Sequence, residues 1–134
     1  LLEGCGTCRV PLQLCIRDIW HENVLWEGDQ VTALIDFGAM GWENVAADAA
    51  RLLGSTAGND VRRWRLGLAA YEAVRPLSPD ELLLVKALDM STAVMSGLTW
   101  IDWICRQHRT FENRQGVLRR LDEILVRLEG ISVG

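Results

Sequence analysis

Lysine is almost absent: Lys86 is the one lysine among 14 basic residues, and arginine supplies the rest. Those 14 stand against 18 acidic residues, for a net charge of −4 at pH 7, so the electrostatic footprint of a general nucleic-acid binder is missing. No run approaches the roughly 18 uncharged apolar residues of a membrane span, and no membrane partner is expected. Neither a signal peptide nor another targeting segment is read, and a cytoplasmic location is expected. Histidine is limited to His21 and His108. They are isolated and far apart in sequence, so with Cys5-Gly6-Thr7-Cys8 they give only a weak zinc signal. A thioredoxin-like site would set its C-x-x-C where a strand meets a helix, but Val10 and Pro11 follow here, so the pair reads as ordinary reduced thiols. A phosphate-binding G-x-x-x-x-G-K-[ST] loop is also lacking. Tyrosine occurs once and phenylalanine twice, yet tryptophan occurs six times.

What is present suits a soluble globular domain. The 134 residues are 49% hydrophobic and 24% charged, enough to bury a core without staples. Val10–Ile16 reads as a short strand. Asn23–Glu27 and Val31–Ile35 read as two more, joined at Gly28-Asp29-Gln30 into a hairpin. After Gly41 the pattern becomes helical. Val45–Leu53 predicts a helix ending at Gly54. A second helix, capped by Asn59 or Asp60, runs to about Val74. Ser78-Pro79-Asp80-Glu81 has the form of a capping box with proline at the first helical position, opening a long helix to about Cys105–Gln107. Val117, Leu118, Leu121, Ile124, Leu125 and Leu128 recur at the helical period in a last helix, about Asn113–Leu128. A hairpin of this size must pack on the helices to be stable, so the fold class is α+β.

One stretch carries chemistry. Asp18 precedes Asn23 by five residues, Asn23 begins the hairpin, and Asp36-Phe37-Gly38 closes it. Two carboxylates and an amide thus meet at one edge of a small β element. Hard oxygen ligands of this kind suit Mg²⁺, and a carboxylate not committed to metal can accept a proton from a hydroxyl.

Arg17-Asp18-Ile19-Trp20-His21-Glu22-Asn23-Val24-Leu25, followed by Ile35-Asp36-Phe37-Gly38, resembles the catalytic core of the aminoglycoside phosphotransferase family, which includes choline and homoserine kinases. That family belongs to the protein-kinase-like superfamily. Its core reads H-G-D-x-H-x-x-N-x-L, then a hairpin, then I-D-F or I-D-W, then a further Asp in a D-x-A-R-like context, matched here by Asp48-Ala49-Ala50-Arg51. The resemblance implies the C-lobe of a protein-kinase-like fold. It also implies transfer of the γ-phosphoryl group of ATP to a hydroxyl of a small molecule, with Mg²⁺ and ATP as cofactors. Carried over by position, Asp18 looks like the catalytic base. Asn23 and Asp36 look like the Mg²⁺ and nucleotide-binding ligands, and Asp48 looks like the buried support of the catalytic loop.

The resemblance further implies an organisation. Residues 1–9 are a tail remnant and 10–134 a kinase-like C-lobe. Within it, 10–54 hold the catalytic loop, hairpin, metal loop and first helix, and 55–134 form a helical subdomain. The phosphate-covering loop and strand lysine of an N-lobe have no counterpart before Arg9, and Leu1 stands where an initiator Met would. The expected partner is therefore a missing N-lobe, and the chain alone is expected to be inactive. Ile16-Arg17 replaces the family's His-Gly, which motivates the alternative of a non-catalytic, pseudokinase-like binding or scaffold module. Trp100, Asp102 and Trp103 on the long helix are candidates for holding a cationic acceptor, set against plain packing of the two indoles. The clusters Arg62-Arg63-Trp64-Arg65 and Arg106–Arg109 read as solvated helix faces.

Overall fold

Two short, largely apolar runs on either side of a Gly-Asp pair build the first recognisable unit. In the computed structural model, which describes residues 6–132, β2 (Val24–Glu27) pairs antiparallel with β3 (Gln30–Leu34). Gly28 opens the two-residue loop with φ 59°, a left-handed backbone that glycine adopts without steric cost. The register slips between Leu25 and Trp26. A second ribbon joins β1 (Gln13–Cys15) to β4 (Gly41–Glu43), with Leu14 opposite Trp42 and Cys15 opposite Gly41. At three residues, β4 is too short for a period-two pattern to announce it, and the sequence gives no sign of it.

Four α-helices follow: α1 (Val45–Ala57), α2 (Val61–Glu72), α3 (Pro79–Ile101) and α4 (Arg114–Ser132). A π-helical turn, Asp102–Arg106, extends α3. The first helix does not stop at Gly54 as expected. It passes through that glycine to Ala57 and ends at Gly58, whose φ of 56° breaks the helical geometry. Asp60 caps α2 by accepting from the N–H groups of Arg62 at 2.9 Å and Arg63 at 3.1 Å. The capping box at α3 is closed on both sides: Glu81 N–H donates to Ser78 Oγ at 3.2 Å, and Ser78 N–H donates to Glu81 Oε2 at 2.8 Å.

The chain divides into two compact units between Asp89 and Met90. In the first, Cys15, Val45, Ala46, Ala49, Ala50, Leu77 and Val85 form the buried core, flanked by Trp64, Leu68, Tyr71, Leu84 and Leu88. Ala46, Ala49 and Ala50 fall at i, i+3 and i+4, so α1 turns a nearly smooth face inward and β1 can approach it closely. Burial, with Asp48 and Glu43 nearby, pushes the Cys15 thiol above its ordinary pKa, so it behaves as core. In the second unit Gly97 faces α4 so closely that an added Cβ would meet Ile124 and Leu128 at 3.4 and 3.5 Å. By length and composition alone, Pro79–Arg106 is long and apolar enough to cross a membrane, though Val85 within it belongs to the core.

A buried polar network seats α1. Asn44 is 2% exposed and Glu81 3%. The Asn44 side-chain oxygen caps α1 through Ala46 N–H at 2.9 Å, and its amide donates to Pro11 O at 2.7 Å and Glu81 Oε1 at 3.1 Å. Arg75 Nη2 donates to the same Glu81 oxygen at 2.8 Å. The Arg75 bond is the main reason the Glu81 carboxyl is pulled down to about 2; burial opposes it, and the Ser78 N–H and Asn44 amide reinforce it.

Because Glu81 titrates lower in the folded state than its ordinary 4.5, its contribution is complete above pH 4.5 and is lost as pH falls towards 2. We expect Glu81→Gln to cost about 3 kcal/mol at neutral pH and to flatten the acid limb of stability over that interval. Urea denaturation at a series of pH values checks both.

Candidate active site

The chain bends in the loop between β1 and β2, and Arg17 stands at the bend with φ 66°. For a residue with a side chain this left-handed backbone carries a cost of roughly 1–2 kcal/mol. The turn is held by Asp48 in the first turns of α1. Its Oδ2 accepts the Ile16 N–H at 2.9 Å and its Oδ1 accepts the Arg17 N–H at 2.7 Å. Asp48 thereby ties the main chain of this loop to α1. The left-handed turn also gives a physical reason for the glycine that the family pattern sets at the position of Arg17. Here the arginine side chain lies over Gly41, where an added Cβ would come within 2.9 Å of its Nη1.

Asp18 follows the turn, half-buried. Both donors that reach its carboxylate come from Arg51, one helical turn beyond Asp48: Nε at 3.3 Å and Nη2 at 3.0 Å, each to Oδ1. The Arg51 guanidinium also lies 5.6 Å from the centre of the Trp20 ring, a cation–π separation. Sequence reasoning gave Arg51 no role. The signal was available, since an Asp and an Arg three residues apart share a helix face.

Asn23 ends a 3₁₀ turn, His21–Asn23, and leads into β2. Its side-chain amide donates to the Asp18 main-chain carbonyl at 2.9 Å, and its own carbonyl accepts the Ile35 N–H at 3.0 Å. With Val24 opposite Leu34, Asn23 and Asp36 fall at the same open end of the hairpin. Asp36 is exposed and left-handed at φ 62°, a conformation that aspartate tolerates better than most residues, and its Oδ1 accepts the Gly38 N–H at 3.4 Å.

The residues present fit a magnesium ion. The Asn23 NH₂ is spent on Asp18, so the oxygen of that amide is the atom left to face a ligand; no hydrogen bond reaches it among the described residues. Asp36 brings a hard carboxylate to the same open end of the hairpin. Among the described residues no group of three or more His, Cys, Asp or Glu forms an all-protein metal site. An amide and one carboxylate are enough for a cation that keeps several waters and binds substrate phosphates.

His21 sits beside this site. Ser55 Oγ accepts its N–H at 3.0 Å, and its ring meets Trp20 edge-on with centroids 4.9 Å apart. Its Nδ1 is shielded from solvent with no hydrogen-bond partner among the described residues. The Cys5–Cys8 pair extends, through Cys5, outside the described residues.

Trp100, Asp102 and Trp103 belong to the second unit. Trp100 meets Trp103 edge-on at 5.3 Å and Phe111 at 5.3 Å. Arg106 and Gln107 both bind the Asp102 carboxylate and hold its pKa below the usual range, and the Arg109 guanidinium stacks 4.8 Å from the Trp103 ring centre. The carboxylate and one ring face expected for a cationic acceptor are thus occupied by the chain's own arginines.

Comparisons with known proteins return to the same stretch. The profile of the Phosphotransferase enzyme family matches residues 6–82, more than half of the chain and the segment holding Asp18, Asn23, Asp36 and Asp48. The homoserine kinase of Methylorubrum populi is 33% identical over 110 residues, which is 78% of this chain and 34% of that protein. The homoserine kinase of Gluconobacter oxydans is 33% identical over 105 residues, 74% of this chain and 33% of that protein. The chain therefore spans about a third of the length of the curated relatives it matches. No solved structure gives a significant match.

Replacing Asp48 with Ala removes both anchors of the left-handed turn, and we expect a loss of about 2–3 kcal/mol. Amide hydrogen exchange should accelerate more at Ile16 and Arg17 than at Val85. Arg17→Gly tests the strain itself: relief of the side-chain clash should leave stability unchanged or raise it by up to about 1 kcal/mol, read by urea denaturation.

Proposed function

Since the chain belongs to the Phosphotransferase enzyme family, we propose that it forms the metal and acceptor side of an ATP-dependent kinase acting on the hydroxyl of a small molecule. The supporting observation is the arrangement of the hairpin end. One helix braces the Asp18 loop, Asp18 holds the amide of Asn23, and Asn23 stands at the same strand end as Asp36.

In this reading Asn23 and Asp36 hold the magnesium ion, which neutralises charge on the transferring phosphates when bound. Asp18 orients the acceptor hydroxyl and accepts its proton as the new O–P bond forms. The bond from the γ-phosphorus to the β-phosphate oxygen breaks, ADP leaves, and the proton passes from Asp18 to solvent. Phosphoryl transfer asks the protein chiefly for position and charge neutralisation, which is what these three residues supply. Both curated relatives are named homoserine kinases, so the side-chain hydroxyl of homoserine is the first acceptor to assay. A cationic acceptor bound by Trp100, Asp102 and Trp103 would have to displace Arg106 and Arg109. In this reading the nucleotide-covering side is supplied by residues other than these, in keeping with a chain that spans about a third of its curated relatives, and the proposed setting is cytoplasmic.

The full open reading frame encoding this chain should transfer phosphate from Mg·ATP to homoserine or another small hydroxyl compound. Asp18→Asn should lower kcat by about 10²–10⁴-fold. Asp36→Asn should raise the magnesium concentration needed for half-maximal rate. An undiminished rate in Asp18→Asn would place the base elsewhere. A wild-type protein that binds nucleotide but transfers nothing would favour the non-catalytic binding module suggested by Ile16-Arg17.

A further inference from the structure

From the pattern of contacts on Asp18 we infer that Arg51 is a positioning residue, holding one carboxylate oxygen so that the other faces the acceptor hydroxyl. The inference rests on the phosphotransfer reading above. Arg51 puts two N–H groups on Oδ1, at 3.3 and 3.0 Å, while Oδ2 accepts no hydrogen bond among the described residues. A guanidinium is planar and presents its donors in a fixed fork, so two N–H groups converging on Oδ1 hold the Asp18 side chain in one χ1 rotamer more firmly than a single ammonium would. The grip is itself supported: the guanidinium rests 5.6 Å from the Trp20 ring centre, and its side chain is only 28% exposed.

The helix spacing strengthens the argument. Asp48 and Arg51 are three residues apart on α1 and face the same loop. Asp48 fixes the main chain just before Asp18, and Arg51 fixes the Asp18 side chain. Backbone and side chain of the proposed base are therefore set by one turn of one rigid helix. Such an arrangement suits a reaction in which displacement by an ångström is costly. The free Oδ2 is then the atom that meets the acceptor proton, and Oδ1 is withheld from it.

The test uses the full open reading frame product, with Arg51→Gln and Arg51→Lys as variants. The three-bond Hα–Hβ couplings of Asp18 report its rotamer directly. We expect one rotamer in the wild type, averaged couplings in Arg51→Gln, and an intermediate pattern in Arg51→Lys, with the unfolding midpoint nearly constant. In turnover, Arg51→Gln should lower kcat about 10- to 100-fold while KM for ATP stays within about twofold, and Arg51→Lys should recover part of the loss. Averaged Asp18 couplings in the wild type, a single retained rotamer in Arg51→Gln, or a kcat within about twofold of wild type would each overturn the inference. If the wild type transfers no phosphate to any acceptor, the phosphotransfer reading falls separately, and the couplings alone decide whether Arg51 positions Asp18.

Discussion

The Asp48 carboxylate accepts the main-chain N–H groups of Ile16 and Arg17, and the loop that carries Asp18 depends on those two bonds. Without them a non-glycine residue would have to hold a left-handed backbone unaided in an exposed loop. With them, the loop between β1 and β2 is tied to a helix whose other face is core. Ala46, Ala49 and Ala50 bury that face, so the position of Asp48 is set by packing rather than by the loop it supports. The chain thus transfers the rigidity of its core to a loop that has little packing of its own.

That transfer requires α1 to be seated in turn, and the seat is polar. Asn44 caps the helix and at the same time ties its start to Pro11 before β1 and to Glu81 at the start of α3. Glu81 would be costly to bury alone, but Arg75, Asn44 and the Ser78 N–H complete its hydrogen bonds. An apolar junction of the same volume could be as stable. It would not fix the helix start against the strand with the same directionality, because hydrogen bonds specify geometry while dispersion contacts do not.

Much of this was legible in the sequence, for identifiable reasons. The hairpin was readable because two strand-like runs flank the short turn at Gly28-Asp29-Gln30, and the α3 start because Ser78, Pro79 and Glu81 each have a distinct task there. The α+β class followed from a hairpin too small to stand without the helices after it, and the family from Asp18, Asn23, Asp36 and Asp48 at matched spacings. Three features were not readable. The three-residue β4 has no period to detect. Gly54 has the chemistry of a helix end, but the helix continues because its neighbours are packed, and Gly58 stops it instead. The Arg51–Asp18 pair joins residues 33 apart in sequence, so local patterning could suggest a shared face with Asp48 but not the partner across the loop. For the same reason the arginines on Asp102 and Trp103 were visible only as charges until the fold brought them to the rings.

The contact between Asn23 and Asp18 has a consequence for how the two halves of the proposed site relate. Asn23 donates to the main chain of the proposed base, so the oxygen it offers to a metal is aimed by the backbone of the residue that would receive the acceptor's proton. The turn at Arg17 sets that backbone, and Ile35 N–H on the Asn23 carbonyl carries the constraint across to the strand end bearing Asp36. The proposed metal side and the proposed acceptor side are therefore one hydrogen-bonded unit. A perturbation at the Arg17 turn would be felt at both, whereas a change confined to the exposed Asp36 carboxylate would be felt at the metal alone. An arginine in place of glycine at this turn is thus a change at the point of greatest leverage. It is tolerated because Asp48 binds the turn through main-chain N–H groups, which every residue except proline possesses.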